Sequence, residues 1–143
     1  MMKRDFGVFH VALKVLLRKG NEVLFLRTSD VGRLDLPGGR IDNIEMQTPL
    51  EKIIAREIGE EIGPTVKYKL SKPVFQFRRY VPARKIYNFL TVYEAVFLSG
   101  RIRLSSEHTS YHWINPSVSR LSVKDFYNKE EYSALMRYFK THA

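Results

Sequence analysis

Apolar and polar positions alternate near the start of the chain. Phe9, Val11, Leu13, Val15 and Leu17 interleave with Val8, His10, Ala12, Lys14 and Leu16, the period of two expected of a β-strand. Lys19-Gly20-Asn21 is a turn signal, and a second strand over roughly residues 22–27 follows it. The two should pair as a hairpin. Residues 28–36 read as a polar loop. The pattern then changes: Thr48 suits an N-cap, Pro49 the first helical position, and Glu51 could reach back to complete a capping box. Gly63-Pro64 stops that helix, which is expected over residues 49–62.

Further on, a strand is expected near residues 66–80, a turn at Val81-Pro82-Ala83-Arg84, and a long strand over residues 85–98. In the latter, Tyr87, Phe89, Thr91, Tyr93 and Ala95 alternate with Ile86, Asn88, Leu90, Val92 and Glu94. A short strand surrounds residues 111–114. The last element is an amphipathic helix at about residues 130–140, with Tyr132, Leu135, Met136 and Phe139 at helical spacing. No repeat or linker divides the sequence, and 143 residues suit one domain spanning 1–143. The expected class is α+β: a mixed sheet with one helix in mid-sequence and another at the end.

Composition narrows the functional classes. An apolar fraction of 44% with 13% aromatics supports a real core and excludes disorder as a description of the whole. The absence of cysteine excludes disulfides, thiolate metal sites and a thiol nucleophile. The apolar stretch from Phe6 to Leu17 follows Met1-Met2-Lys3-Arg4, but His10 and Lys14 interrupt it and no small-residue cleavage site follows. It is also too short to span a bilayer, so the expectation is a cytoplasmic protein with no membrane partner. The net charge of +9, from 24 Lys+Arg against 15 Asp+Glu, favours acidic partners such as phosphates or nucleic acid.

The acids are unevenly spread, and this changes the picture. Arg56-Glu57-Ile58-Gly59-Glu60-Glu61-Ile62-Gly63 places three carboxylates within five residues of a basic chain. At about 100° per residue Glu57, Glu60 and Glu61 share one helix face. They repel one another, and they stand near a helix C-terminus where negative charge is disfavoured. A cation among them would relieve both penalties, and oxygen-only ligands suit Mg²⁺ or Mn²⁺. Arg56, four residues before Glu60, can pair with it and orient it. A Pro-Gly-Gly turn precedes the helix, where backbone can approach a ligand closely.

Leu36-Pro37-Gly38-Gly39, then Glu45, then Arg56-Glu57-Ile58-Gly59-Glu60-Glu61-Ile62-Gly63 resemble the Nudix box, the signature of the Nudix hydrolases. That signature reads Gly, five residues, Glu, seven residues, Arg-Glu, an aliphatic residue, any residue, Glu-Glu, any residue, Gly. Two positions depart from it. Ten residues separate Glu45 from Arg56, and the final aliphatic position is Pro64. The three extra residues fall before the helix, where a longer loop absorbs them cheaply. The resemblance implies an α/β/α sandwich around a mixed sheet, and hydrolysis of a phosphoanhydride in a nucleoside diphosphate linked to another moiety. It further implies Mg²⁺ (or Mn²⁺) held by Glu57, Glu60 and Glu61, with the Gly39 carbonyl and Glu45. Glu60 or Glu61 would be the general base.

Other residues are candidates for substrate contact. Arg27, Arg33 and Arg40 flank the loop before the box and could meet phosphates. Glu107, in the loop before the residue-111 strand, matches a region where proteins similar to this one carry a further catalytic acid. Arg78, with Arg79, Arg84 and Lys85, lies near the tip of the second hairpin among Phe77, Tyr80 and Tyr87. That cluster suits a cationic, stacking-capable rim, or equally a charged hairpin end that discourages edge association. His10 and Trp113 are expected in structural or cavity-wall roles. A nucleotide-derived small molecule is the leading substrate class. The 5′ end of RNA and a non-catalytic nucleotide- or RNA-binding module are the alternatives, and a homodimer is the default assembly.

Overall fold

A computed structural model describes residues 2–142. Strands β1 (Phe9–Lys19) and β2 (Glu22–Thr28) form the expected hairpin, followed by the short strands β3 (Leu34–Asp35) and β4 (Gly38–Arg40). Helix α1 (Leu50–Ile62) comes next, then β5 (Lys67–Val81), β6 (Ile86–Ser99), β7 (His108–Ile114) and helix α2 (Lys129–Thr141). The sheet runs β3-β2-β1-β6-β5, with β4 added to β1 and β7 added to β2. It is mixed, because β1 runs parallel to β6 over residues 9–18 while the other pairings are antiparallel.

The alternation along β1 decides how the layers form. Leu13, Val15 and Leu17 face one side and pack with Leu24, Leu26, Ile53, Ile54, Ile58 and Ile62 beneath α1. Ala12 and Leu16 face the other and join Phe25, Leu90, Val92, Leu135, Tyr138 and Phe139 beneath α2. The period of two thus places helices on both faces, giving the α/β/α sandwich. The four isoleucines of α1 are at most 2% exposed, and each such burial stabilises the fold by about 1.5–3 kcal/mol. Among the described residues no helix is long and apolar enough to cross a membrane.

Two local expectations are corrected. Thr48 does not cap α1: the helix begins at Leu50, with Pro49 at its cap position and no side-chain hydrogen bond there. The Pro49 carbonyl accepts from the Lys52 and Ile53 amides instead. A capping box does exist, but upstream, around a 3₁₀ turn at Asn43–Glu45. There the Ile44 amide donates to Asp42 and the Asp42 amide to Glu45. Second, residues 28–36 are not all loop, since β3 pairs with β2 through Leu26↔Asp35 and Arg27↔Leu34. Two-residue strands carry too little periodicity to be read from sequence.

Candidate active site

After the hairpin turn β1 and β2 part. They pair directly only at Arg18↔Val23 and Lys19↔Glu22. Beyond that point β1 turns to β4, while β2 pairs with β3 and β7. The splay opens a cleft of about 970 Å³. Glu57, Glu60 and Glu61 of α1 all reach it, together with Gly38, Gly39 and Arg40 of β4. Glu57 and Glu61 are buried, four residues apart on the inner face of α1, whereas Glu60 is exposed.

The glycine pair makes this approach of helix to strand feasible. A side chain at Gly38 would place its Cβ 2.1 Å from the Leu13 carbonyl oxygen and 2.7 Å from the Lys14 Cα. The residue also sits at φ 138°, where side chains are disfavoured. Its amide donates to the Glu61 carboxylate at 2.9 Å, fixing that side chain against the strand. At Gly39 a Cβ would lie 2.2 Å from a Glu57 carboxylate oxygen. Here glycine leaves room for an acid.

Arg56 knits the box together. Its Nε and Nη2 donate to the two oxygens of Glu45 at 2.6 and 2.5 Å, a bidentate pair. Its Nη1 lies 3.0 Å from Glu57 and 3.2 Å from Glu60. The arginine and the Asp42 amide hold the Glu45 carboxyl below its ordinary range. Both Glu45 oxygens are thereby engaged by protein donors. Glu45 is not among the residues lining the cleft, and the segment after it closes on itself, with the Thr48 amide donating to the Glu45 carbonyl.

Below the acids lies a buried ionic network. The Lys14 ammonium donates to Asp35 at 3.1 Å and to the carbonyls of Leu36 and Gly38. Arg79 reaches Asp35 at 3.2 Å and grips Glu131 of α2 through both its oxygens. Burial alone would raise the Asp35 carboxyl, but the Lys14 and Arg79 charges outweigh it and hold the group at about 2. Burial pushes Glu61 the other way, to about 7, against the pull of Lys14 and the Gly38 amide. Glu57 is likewise raised by burial.

The structure sorts the remaining candidates by position. Arg40, which donates to a His10 ring nitrogen, and Glu107 line the cleft. Arg27 and Arg33 do not: their guanidinium groups donate to the carbonyls of Gly32 and Val31. Arg78 is also outside the lining and forms an ion pair with Glu130 of α2 at 2.8 Å. Its partner residue Arg79, expected on an exposed rim, is instead part of the floor. Trp113 does not line the cleft and packs partly buried against the α1 core instead.

Sequence reasoning missed Lys14, Asp35 and Glu131. The available signal was a lysine inside an otherwise apolar strand, which must find an anion when the strand is buried. His108 was missed as well. It is 7% exposed and lines the cleft, and burial keeps its imidazole below the usual histidine range.

The donor set fits a hard divalent cation. Glu57, Glu60 and Glu61 face one cleft, and the single guanidinium among them is shared with Glu45. Burial drives the Glu61 carboxyl to about 7 despite Lys14, so its charged form would gain from a directly bound cation. Oxygen ligands from a helix face, with the cleft open to water, match the few-ligand, partly hydrated coordination of Mg²⁺.

No family model matches the chain, and no curated protein matches it in sequence. Solved structures do match. A MutT protein from Methanosarcina mazei Go1 superposes with a TM-score of 0.68 at 21% identity, covering 94% of this chain and 93% of the other. A NUDIX hydrolase from Nitrosomonas europaea gives 0.73 at 11% identity over 94% and 90%. An ADP-ribose pyrophosphatase from Streptococcus suis 89-1591 gives 0.62 at 16% over 94% and 92%. The chain therefore has the Nudix fold, and the box read from its sequence lies at the cleft of that fold.

Proposed function

We propose that the protein is a Mg²⁺-dependent pyrophosphohydrolase that cleaves a phosphoanhydride bond in a nucleoside diphosphate-linked small molecule. The observation that carries the proposal is the convergence of Glu57, Glu60 and Glu61 on one cleft, with burial pushing Glu61 to about 7. Such a set gains stability when a divalent cation enters. An ADP-ribose pyrophosphatase among the structural neighbours supports the substrate class.

The bond that breaks joins phosphorus to the bridging oxygen, and the bond that forms joins phosphorus to a water oxygen. A bound Mg²⁺ supplies charge neutralisation of the phosphates and of the leaving oxygen. The chain's own residues do the rest. Glu57 and Glu61, held by Arg56 and the Gly38 amide, would keep the cation in register. Glu60 is the exposed one of the three α1 acids and would take the proton at a carboxylate oxygen. Arg40 and Arg84 line the cleft and would bind the phosphates. Arg56 is a positioning residue, since its donors are spent on Glu45, Glu57 and Glu60.

The test is ³¹P NMR of products from ADP-ribose, a UDP-sugar, nucleoside triphosphates and 5′-triphosphate RNA, each with Mg²⁺ and with chelator. A nucleoside monophosphate and a phosphorylated second product from a diphosphate-linked substrate, only with Mg²⁺, are expected. Turnover confined to RNA would overturn the substrate class, and no turnover on any would overturn the enzyme.

A further inference from the structure

On the β7 side of the cleft, Glu61, Glu107 and His108 bring one ligand atom each within 4.8 Å of one another. Two metal–ligand bonds of about 2.1 Å nearly span that distance. The grouping does not rest on the acids alone. His108 is 93% buried (7% exposed), its Nδ1 is buried without a hydrogen-bond partner, and it lines the cleft. Buried polar atoms are nearly always satisfied, so a buried imidazole with an orphaned nitrogen, and with one ring nitrogen within 4.8 Å of two carboxylates, points to a missing ligand.

The placement is firm. His108 pairs with Thr28 of β2 and its amide donates to the Ser105 carbonyl. The Glu107 carbonyl accepts from both the amide and the hydroxyl of Ser29. Glu61 is fixed by the Gly38 amide. Each ligand thus comes from a different element: α1, the loop before β7, and the first residue of β7.

We infer that Glu61, Glu107 and His108 form a mixed oxygen–nitrogen site for a first-row transition-metal dication. The site lies beside the all-carboxylate position and shares Glu61 with it. An imidazole ligand favours Mn²⁺, Co²⁺ or Zn²⁺ over Mg²⁺, which binds oxygen. Three protein ligands leave further coordination positions for water or a phosphate oxygen. The assignment rests on the proposed metal-binding role of the cleft but not on hydrolysis itself.

Mn²⁺ is the probe. Pulsed EPR of the full chain with one equivalent of Mn²⁺ should show ¹⁴N modulation, lost in His108→Gln and kept in His10→Gln, the other histidine of the cleft. The preference for Mn²⁺ over Mg²⁺ in competitive titration should fall at least about tenfold in His108→Gln. Mn²⁺ bound to the wild type without ¹⁴N modulation overturns the assignment and needs no variant. So does modulation that persists in His108→Gln. Mg²⁺-dependent hydrolysis without nitrogen coupling would sink this site alone, whereas nitrogen coupling without hydrolysis would sink the proposed activity alone.

Discussion

Gly38 and Gly39 are neighbours, yet alanine should act on them in different ways. At Gly39 the nearest atoms to an added Cβ are all from the Glu57 carboxylate, at 2.2, 2.5 and 2.7 Å. Unstrained contact needs about 3.5 Å, so the carboxylate must retreat by about 1.3 Å. Gly39 does not occupy the left-handed region, and the obstacle is the end of a flexible side chain. Gly39→Ala should therefore cost the fold no more than about 1 kcal/mol. A ligand misplaced by about 1 Å costs on the order of 10²-fold in rate, or about 2.7 kcal/mol at the transition state. At Gly38 the clash is with Leu13 and Lys14 backbone in the β1–β4 pairing, and φ is 138°. Gly38→Ala should unfold or strongly destabilise the protein. Urea unfolding, Mg²⁺ titration and turnover on the substrate found by NMR separate the two. A Gly39→Ala protein with wild-type turnover and metal affinity would refute the reasoning, as would one that unfolds as readily as Gly38→Ala.

Three further outcomes follow from the floor and its acids. Asp35→Asn removes the anion shared by Lys14 and Arg79; breaking a buried pair costs about 3–5 kcal/mol, readable by denaturant titration. Because Asp35 is depressed to about 2 in the fold, its contribution is present above the unfolded value of about 3.9 and lost as pH falls towards 2. Stability should drop by about 2 kcal/mol across that window through this group, and Asp35→Asn should flatten the drop. Glu61, raised to about 7 without metal, must shed its proton when a cation binds. Mg²⁺ affinity should therefore climb as pH rises towards 7 and level off above it, with proton release in calorimetry, and Glu61→Gln should abolish that slope.

The long elements and the box were legible because each carried its own signal. Alternation in β1 and β6 gave strands, Gly63-Pro64 gave the end of α1, and Glu57, Glu60 and Glu61 gave an acidic helix face that reaches the cleft. What escaped lies in tertiary placement. Arg78 and Arg79 read as an exposed basic rim, but α2 supplies Glu130 and Glu131 opposite them, from a segment about fifty residues away. Lys14 read as an interruption in a strand and is the cation under the site. His108 had no motif at all, and only the β2–β7 pairing brings it to Glu61. The capping signal at Thr48 is not used, because α1 starts at Leu50 behind Pro49, and the capping box lies at Asp42–Glu45 around the preceding turn.

The central claim is that the α1 acids hold the cation that makes phosphoanhydride hydrolysis feasible. Its most direct test is steady-state turnover with Mg²⁺, with chelator, and in Glu57→Gln and Glu61→Gln, alongside unfolding curves for each variant. The account predicts folded variants whose Mg²⁺-dependent turnover falls by two or more orders of magnitude, on the order of the loss expected when a charge-stabilising group is removed. Wild-type turnover in both variants, or equal turnover in chelator, would contradict it.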